Sequence, residues 1–133
     1  MKRIAVIGAG SSGIFAALQA AWNGADVVLF ERNETVGRKL LVTGSGRCNL
    51  TNDGVAPRKY ACADTQWMAA LIDRFGVRHL LDMLADVGIP VTKTSDGWYY
   101  PLSNSAQAVV DILKGALEAA GVSIRTATKV VSI

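Results

Sequence analysis

The sequence predicts an α/β fold in which helices flank a parallel sheet, and three observations carry that prediction. The β-branched apolar run "KRIAVI" at 2–7 stops abruptly at Gly8. Apolar residues then recur at helical spacing from Ser11 to Asn23, and a second apolar run, "DVVLFE", follows at 26–31. Two strands joined by one helical crossover are suited to parallel pairing. Strand, tight turn, helix and strand in that order open a Rossmann-like βαβ unit.

Each element has its own justification. Both short strands are near-continuous apolar runs, as expected of strands buried on both faces. In the intervening helix Ile14, Ala17, Leu18 and Ala21 share a face, and Gly24 stands where a helix C-terminal glycine belongs. A glycine-rich loop and the irregular segment "DGVAPRKYACA" lead to residue 63. Helices are expected at about 65–75 and 77–87, followed by Gly76 and Gly88. "IPVTKTSDGWYYP" reads as a hairpin with "SDG" as its turn and Pro101 ending the second strand. Ser103 or Asn104 is expected to cap a helix running to Ala120 and stopped by Gly121. "VSIRT" and "KVVSI" read as final strands, and Trp22 and Trp67 as packing residues on helices. There is no internal repeat or low-complexity linker. The last apolar strand has no turn signal and no partner after it, so residues 1–133 are expected to be an incomplete domain, the first part of a longer polypeptide.

The bulk composition narrows the class. A chain of 133 residues with 50% hydrophobic and 19% charged residues fits one globular domain with a real core. Its net charge of +3 comes from scattered Lys and Arg with no run of like charge, so a nucleic-acid arm is not indicated and small phosphate-bearing molecules suit it better. Cys48 and Cys62 match neither a zinc site nor a disulfide framework and read as free thiols of a reducing cytoplasm. The opening 25 residues resemble a signal peptide in their basic start and apolar content, but "GAGSSG" splits the apolar part. No apolar run approaches the roughly 18 to 20 residues of a membrane span.

"GAGSSG" at 8–13 is GxGxxG placed between a predicted strand and a predicted helix, the position that gives this pattern its meaning. Gly8 allows the tight turn, Gly10 lets the backbone approach a pyrophosphate, and Gly13 lets helix and strand pack closely. The helix start then offers unpaired N–H groups and a partial positive charge to phosphate, and Ser11 and Ser12 add donors. Glu31, at the end of the second strand and 18 residues after Gly13, completes the pattern. A carboxylate there accepts from both ribose hydroxyls and repels a 2′-phosphate, with Arg32 softening that exclusion. The pattern leaves FAD and NAD equally open, because both carry the same ADP half.

Beyond Glu31 the chain reads "GRKLLVTGSGRCNLTN" at 37–52 and, later, "DGWYYPLSNSAQAVVDILKGALEAAGVSIRTATKVVSI" at 96–133. Together with the strand and "GAGSSG" these blocks resemble bacterial FAD-dependent oxidoreductases of the aminoacetone oxidase-like and dehydro-bile-acid reductase-like group. The resemblance covers the whole chain but only about the first third of such a protein. It implies the N-terminal part of a two-dinucleotide-binding-domain flavoprotein, without the substrate domain and the later segment that closes the flavin site. It also implies FAD as cofactor, NAD(P)H as a possible electron donor, a small-molecule substrate, and the remainder of its own polypeptide as partner. In this light the loop reads as a flavin cradle. Gly44 and Gly46 free backbone N–H groups, while Arg38, Lys39 and Arg47 offer cations to the pyrophosphate or the flavin edge. Asn49, Thr51 and Asn52 can fix the loop through side-chain to backbone bonds. Cys48 reads as a small buried thiol or as a residue near the flavin ring. By the same resemblance Val130 contacts the adenine through its backbone.

No side chain can be named as catalytic acid or base, and no metal ligand set is present. His79, the only histidine, reads as structural, with Asp82 one helical turn away. Trp98, Tyr99 and Tyr100 read as hairpin core or as the wall of a pocket for a planar ligand. "NET" and "NLT" match a glycosylation sequon that matters only on secretion, and no GK[ST] follows the glycines to make a Walker A loop. The reading is therefore the FAD-binding part of an NAD(P)/FAD-dependent oxidoreductase. The alternatives are a nucleotide-binding module without turnover, an NAD-dependent dehydrogenase domain, against which "GRCNLTN" argues, and a flavoprotein acting on RNA, suggested by the basic pI near 9.1.

Overall fold

Elements follow one another as β1 (Arg3–Ile7), α1 (Ser11–Trp22), β2 (Asp26–Phe30), β3 (Thr51–Asn52), α2 (Thr65–Arg74), α3 (Val77–Asp86), β4 (Val91–Lys93), β5 (Trp98–Pro101), α4 (Ala106–Ala119) and β6 (Ser123–Arg125). Two 3-10 segments, Leu40–Gly46 and Pro57–Lys59, interrupt the connections. The computed structural model describes all of residues 1–133. These divide into unit 1, Met1–Cys48 with Ser105–Ile133, and unit 2, Asn49–Asn104.

Unit 1 is the parallel sheet, in the order β1-β2-β6. Ile4 pairs with Val27, Val6 with Leu29, and Leu29 with Ile124, so these residues share one face. α1 packs on that face: a Cβ placed on Gly13 would lie 3.6 Å from the Val6 side chain. Both crossovers step in the same direction across the sheet, and right-handed connections then put α1 and α4 on the same side. Ile14, Leu18, Leu29, Val109, Leu113 and Leu117 are fully buried there, each side chain contributing about 1.5–3 kcal/mol. The opposite face is open, so β1 and β2, expected from their apolar runs to be buried on both faces, are covered on one face only, and no residue of β1 is fully buried. Ala5, Val28, Phe30 and Ser123, with Arg3, Asp26 and Arg125, line a concavity of about 500 Å³ on it, and Ile7 is 52% exposed.

Unit 2 is an antiparallel sheet, β3-β5-β4, with α2 and α3. The expected hairpin forms with Thr92 opposite Tyr100, and Gly97 takes the turn at φ +85°. A third strand of two residues, Thr51 and Asn52, pairs with Tyr99 and Trp98. Two residues carry no periodicity, so this strand is invisible in the sequence.

Four further expectations are corrected. Ser105, rather than Ser103 or Asn104, caps α4, its Oγ accepting from the Ala108 N–H at 3.3 Å. Asn104 has φ +52° and cannot take the extended backbone a cap requires. "KVVSI" forms no strand. After β6 the Ala127 and Thr128 N–H groups donate to the Asn33 and Glu31 carbonyls, which tie the chain to the end of β2 and stop the ladder. Trp22 and Trp67 are solvent-facing, since the buried faces of their helices lie elsewhere or are absent.

Candidate functional site

α1 begins directly after the glycine turn. Gly10 is its N-cap, with extended backbone and no side chain to bond the first turn, so the N–H groups of Ser11, Ser12 and Gly13 lack intrahelical acceptors. The Ile14 N–H closes the first helical bond onto the Gly10 carbonyl at 2.9 Å. A Cβ on Gly10 would meet nothing within 4 Å, so the backbone there faces open space. A Cβ on Gly13 would lie 1.8 Å from the Gly8 carbonyl oxygen, and only glycine permits that contact.

The turn is held on both sides through Ala9, which is buried. Its N–H donates to Glu31 Oε2 at 2.7 Å, and its carbonyl accepts from the Gly37 N–H at 2.7 Å. The Gly8 N–H extends the sheet pairing by donating to the Phe30 carbonyl at 2.7 Å. The turn, the end of β2 and the start of the "GRKLL" segment are thus one hydrogen-bonded unit. Arg38 and Lys39, both exposed, follow it directly in the chain.

Glu31 is only 8% exposed, so the site rests on how its charge is supported. The Asn33 N–H and Nδ2 both donate to Oε1, at 2.8 and 2.6 Å. Burial pushes the Glu31 carboxyl upward, but the hydrogen bonds from Asn33 and Ala9, with the charge of Arg32, outweigh it and hold the group below its ordinary value. A carboxylate offers about four acceptor sites. Three are filled by protein, and the fourth, on Oε2, is left.

Residues 40–48 form the loop of the glycine-rich block. Gly44, Ser45 and Gly46 are all left-handed, at φ +56°, +54° and +84°. Arg47 Nε donates to the Gly44 carbonyl at 3.3 Å and the Cys48 N–H to the Thr43 carbonyl at 3.1 Å, closing the loop on itself. Cys48 is fully buried at φ +60°, and burial pushes its thiol upward despite a hydrogen bond with Thr43. That leaves a protonated thiol with a packing role.

A profile of the HI0933-like protein Rossmann domain matches residues 2–133. The chain belongs to that family. Within reach of the same sequence are a 3-dehydro-bile acid delta(4,6)-reductase of Clostridium scindens, 38% identical over 98% of this chain and 32% of that protein, and a ribosomal RNA dihydrouridine synthase of Escherichia coli, 32% identical over 96% and 32%. The chain therefore spans about a third of the length of these curated relatives. Among solved structures, that of Thermovibrio ammonificans THI4 superposes with a TM-score of 0.63 at 17% identity, covering 94% of this chain and 38% of that one, a likeness of fold.

In this member of the HI0933-like family the structure brings Gly8, Gly10, Ser11, Ser12, Gly13 and Glu31 to one place. Arg38 Nη1 is engaged at 3.0 Å with Asn33 Oδ1, and Val130 lies half-buried in the strandless segment after β6. Sequence reasoning missed Asn33. An amide two positions past a strand-end acid is the local side-chain turn pattern that could have signalled it. No group of three or more His, Cys, Asp or Glu side chains is placed to hold a metal ion, and no helix is long and apolar enough to cross a membrane.

Proposed function

We propose that this chain is the FAD-binding part of an NAD(P)/FAD-dependent oxidoreductase. One observation carries the reading: the uncapped start of α1 and the ribose-type acid Glu31 are bonded into a single turn through Ala9. A diphosphate seated on the Ser11, Ser12 and Gly13 amides, with Gly10 leaving room for it, brings the adenosine ribose toward the acceptor site left on Glu31 Oε2. One ribose hydroxyl donates there, where the sequence suggests two. Arg38, Lys39 and Arg47 add positive charge, and unit 1 as a whole carries nine Lys and Arg against five Asp and Glu. Gly44 and Gly46 open the loop backbone to the cofactor, Arg32 flanks the acid, Cys48 packs beneath the loop, and Val130 meets the adenine.

Bound FAD supplies hydride acceptance and donation at its isoalloxazine ring. This chain's part is to bind the cofactor, orient it and refuse a 2′-phosphate. Membership of the HI0933-like family and the resemblance of "GRCNLTN" to flavin enzymes support FAD over NAD. The two relatives are about three times longer, so substrate recognition and closure of the flavin site are assigned to sequence outside these residues. The reading includes a cytoplasmic setting, NAD(P)H as donor and a small-molecule substrate. Likeness to a ribosomal RNA dihydrouridine synthase favours RNA as a second substrate class.

The test is to purify the chain, record its visible flavin absorbance and titrate it with FAD, AMP and NADH. Retained flavin, or FAD and AMP binding above NADH, is the expected result. Preference for NADH would replace the proposal with a dehydrogenase, and no adenosine binding at all would sink it.

A further inference from the structure

We infer that Asn33 is the positioning residue of the ribose subsite, holding Glu31 so that its one remaining acceptor site meets an unsubstituted ribose. The inference rests on the ribose reading of Glu31 above. A glutamate carboxylate at a strand end can rotate about its terminal bond, and a rotated group presents a different edge to a ligand. Here Asn33 fills both sites of Oε1, through its N–H at 2.8 Å and its Nδ2 at 2.6 Å. Ala9 takes one site of Oε2. Oε1 is thereby spent, and what is left faces from Oε2 on the side of the phosphate turn.

The Asn33 amide is itself fixed. Its Oδ1 accepts from Arg38 Nη1 at 3.0 Å while its Nδ2 faces the carboxylate. The reverse orientation would set Oδ1 against a carboxylate oxygen and an NH₂ against a guanidinium, both repulsive. Its backbone is tied as well, the carbonyl accepting from the Ala127 N–H at 2.8 Å. Arg38, read from sequence as a cation for pyrophosphate, thus also acts on the ribose side through Asn33.

The probes are ADP and 2′,3′-dideoxy-ADP, which differ only in the hydroxyls that Glu31 would receive. Binding of both is measured calorimetrically to the chain and to Asn33→Ala, Asn33→Asp and Glu31→Ala, with circular dichroism confirming the fold. The unsubstituted chain is expected to prefer ADP, and Asn33→Ala to shrink that preference about 3- to 10-fold by loosening the acid. Asn33→Asp keeps the size of the side chain but replaces the donor with an oxygen that repels the Glu31 carboxylate, so it should shrink the preference too, even if the alanine variant folds poorly. Loss of preference in Glu31→Ala alone, or equal weakening of both ligands by the Asn33 variants, overturns the role of Asn33 and leaves the ribose reading standing. No preference in the unsubstituted chain overturns both.

Discussion

Two glycines three positions apart are expected to separate binding from folding. Gly10 has φ −76° and ψ −178°, which any residue adopts, and open space where its Cβ would be. Gly10→Ala should therefore change stability by less than about 1 kcal/mol, the scale of an N-cap change. It should lower ADP affinity by about tenfold or more, because the methyl group would occupy the place proposed for the diphosphate. Gly13→Ala behaves oppositely, since its Cβ would strike the Gly8 carbonyl at 1.8 Å and backbone cannot yield cheaply. It should cost about 2–4 kcal/mol in denaturant unfolding. Similar thermodynamics for the two variants would refute the assignment of roles. Glu31 adds a pH signature. Its folded-state pKa is lowered, so its contribution to stability is full above the ordinary value of 4.5 and is lost as pH falls below that through the folded value. Unfolding midpoints measured against pH should fall more steeply below pH 4.5 in the unsubstituted chain than in Glu31→Gln.

At the level of elements, the βαβ opening is legible because every signal agrees: apolar runs, a 3.6-residue period, and glycines where the backbone must turn. What stays hidden is set by long-range partners. The Thr51–Asn52 strand exists only because β5 is beside it. The end of the ladder after β6 depends on carbonyls of Glu31 and Asn33, nearly a hundred residues earlier. Likewise Asp53, Lys93 and Tyr99 form a surface cluster that sequence distance conceals: Tyr99 Oη donates to Asp53 Oδ1 at 2.8 Å, and Lys93 pairs with the same carboxylate. The site is legible in its glycines and acid, whereas the Asn33 contact is a matter of side-chain geometry. The glycine-rich loop also makes a clear expectation for its thiol. Cys48 is fully buried and Cys62 partly exposed, so a maleimide should label Cys62 alone in the folded chain and both thiols after denaturation. Rapid native labelling of Cys48 would show that the loop opens.

Across the molecule, positive charge is concentrated rather than spread. Unit 2 holds five Lys and Arg against six Asp and Glu, a net of −1, so unit 1, which contains the glycine turn, carries +4 where the chain as a whole carries +3. A scattered count along the sequence does not reveal this, because the chain leaves unit 1 at Cys48 and returns at Ser105. That same interruption governs how the protein assembles. Val28 lines up with Ser123 in the finished sheet, and joining positions so far apart along the polypeptide exacts a large loss of chain entropy before any contact repays it. The β4-β5 hairpin closes over a handful of residues. In pulse-labelled hydrogen exchange during refolding, hairpin amides should gain protection before those of β6, and simultaneous protection would mean that both units form in one step. During synthesis the excursion would then already be shaped while β6 still waits for a neighbour made long before.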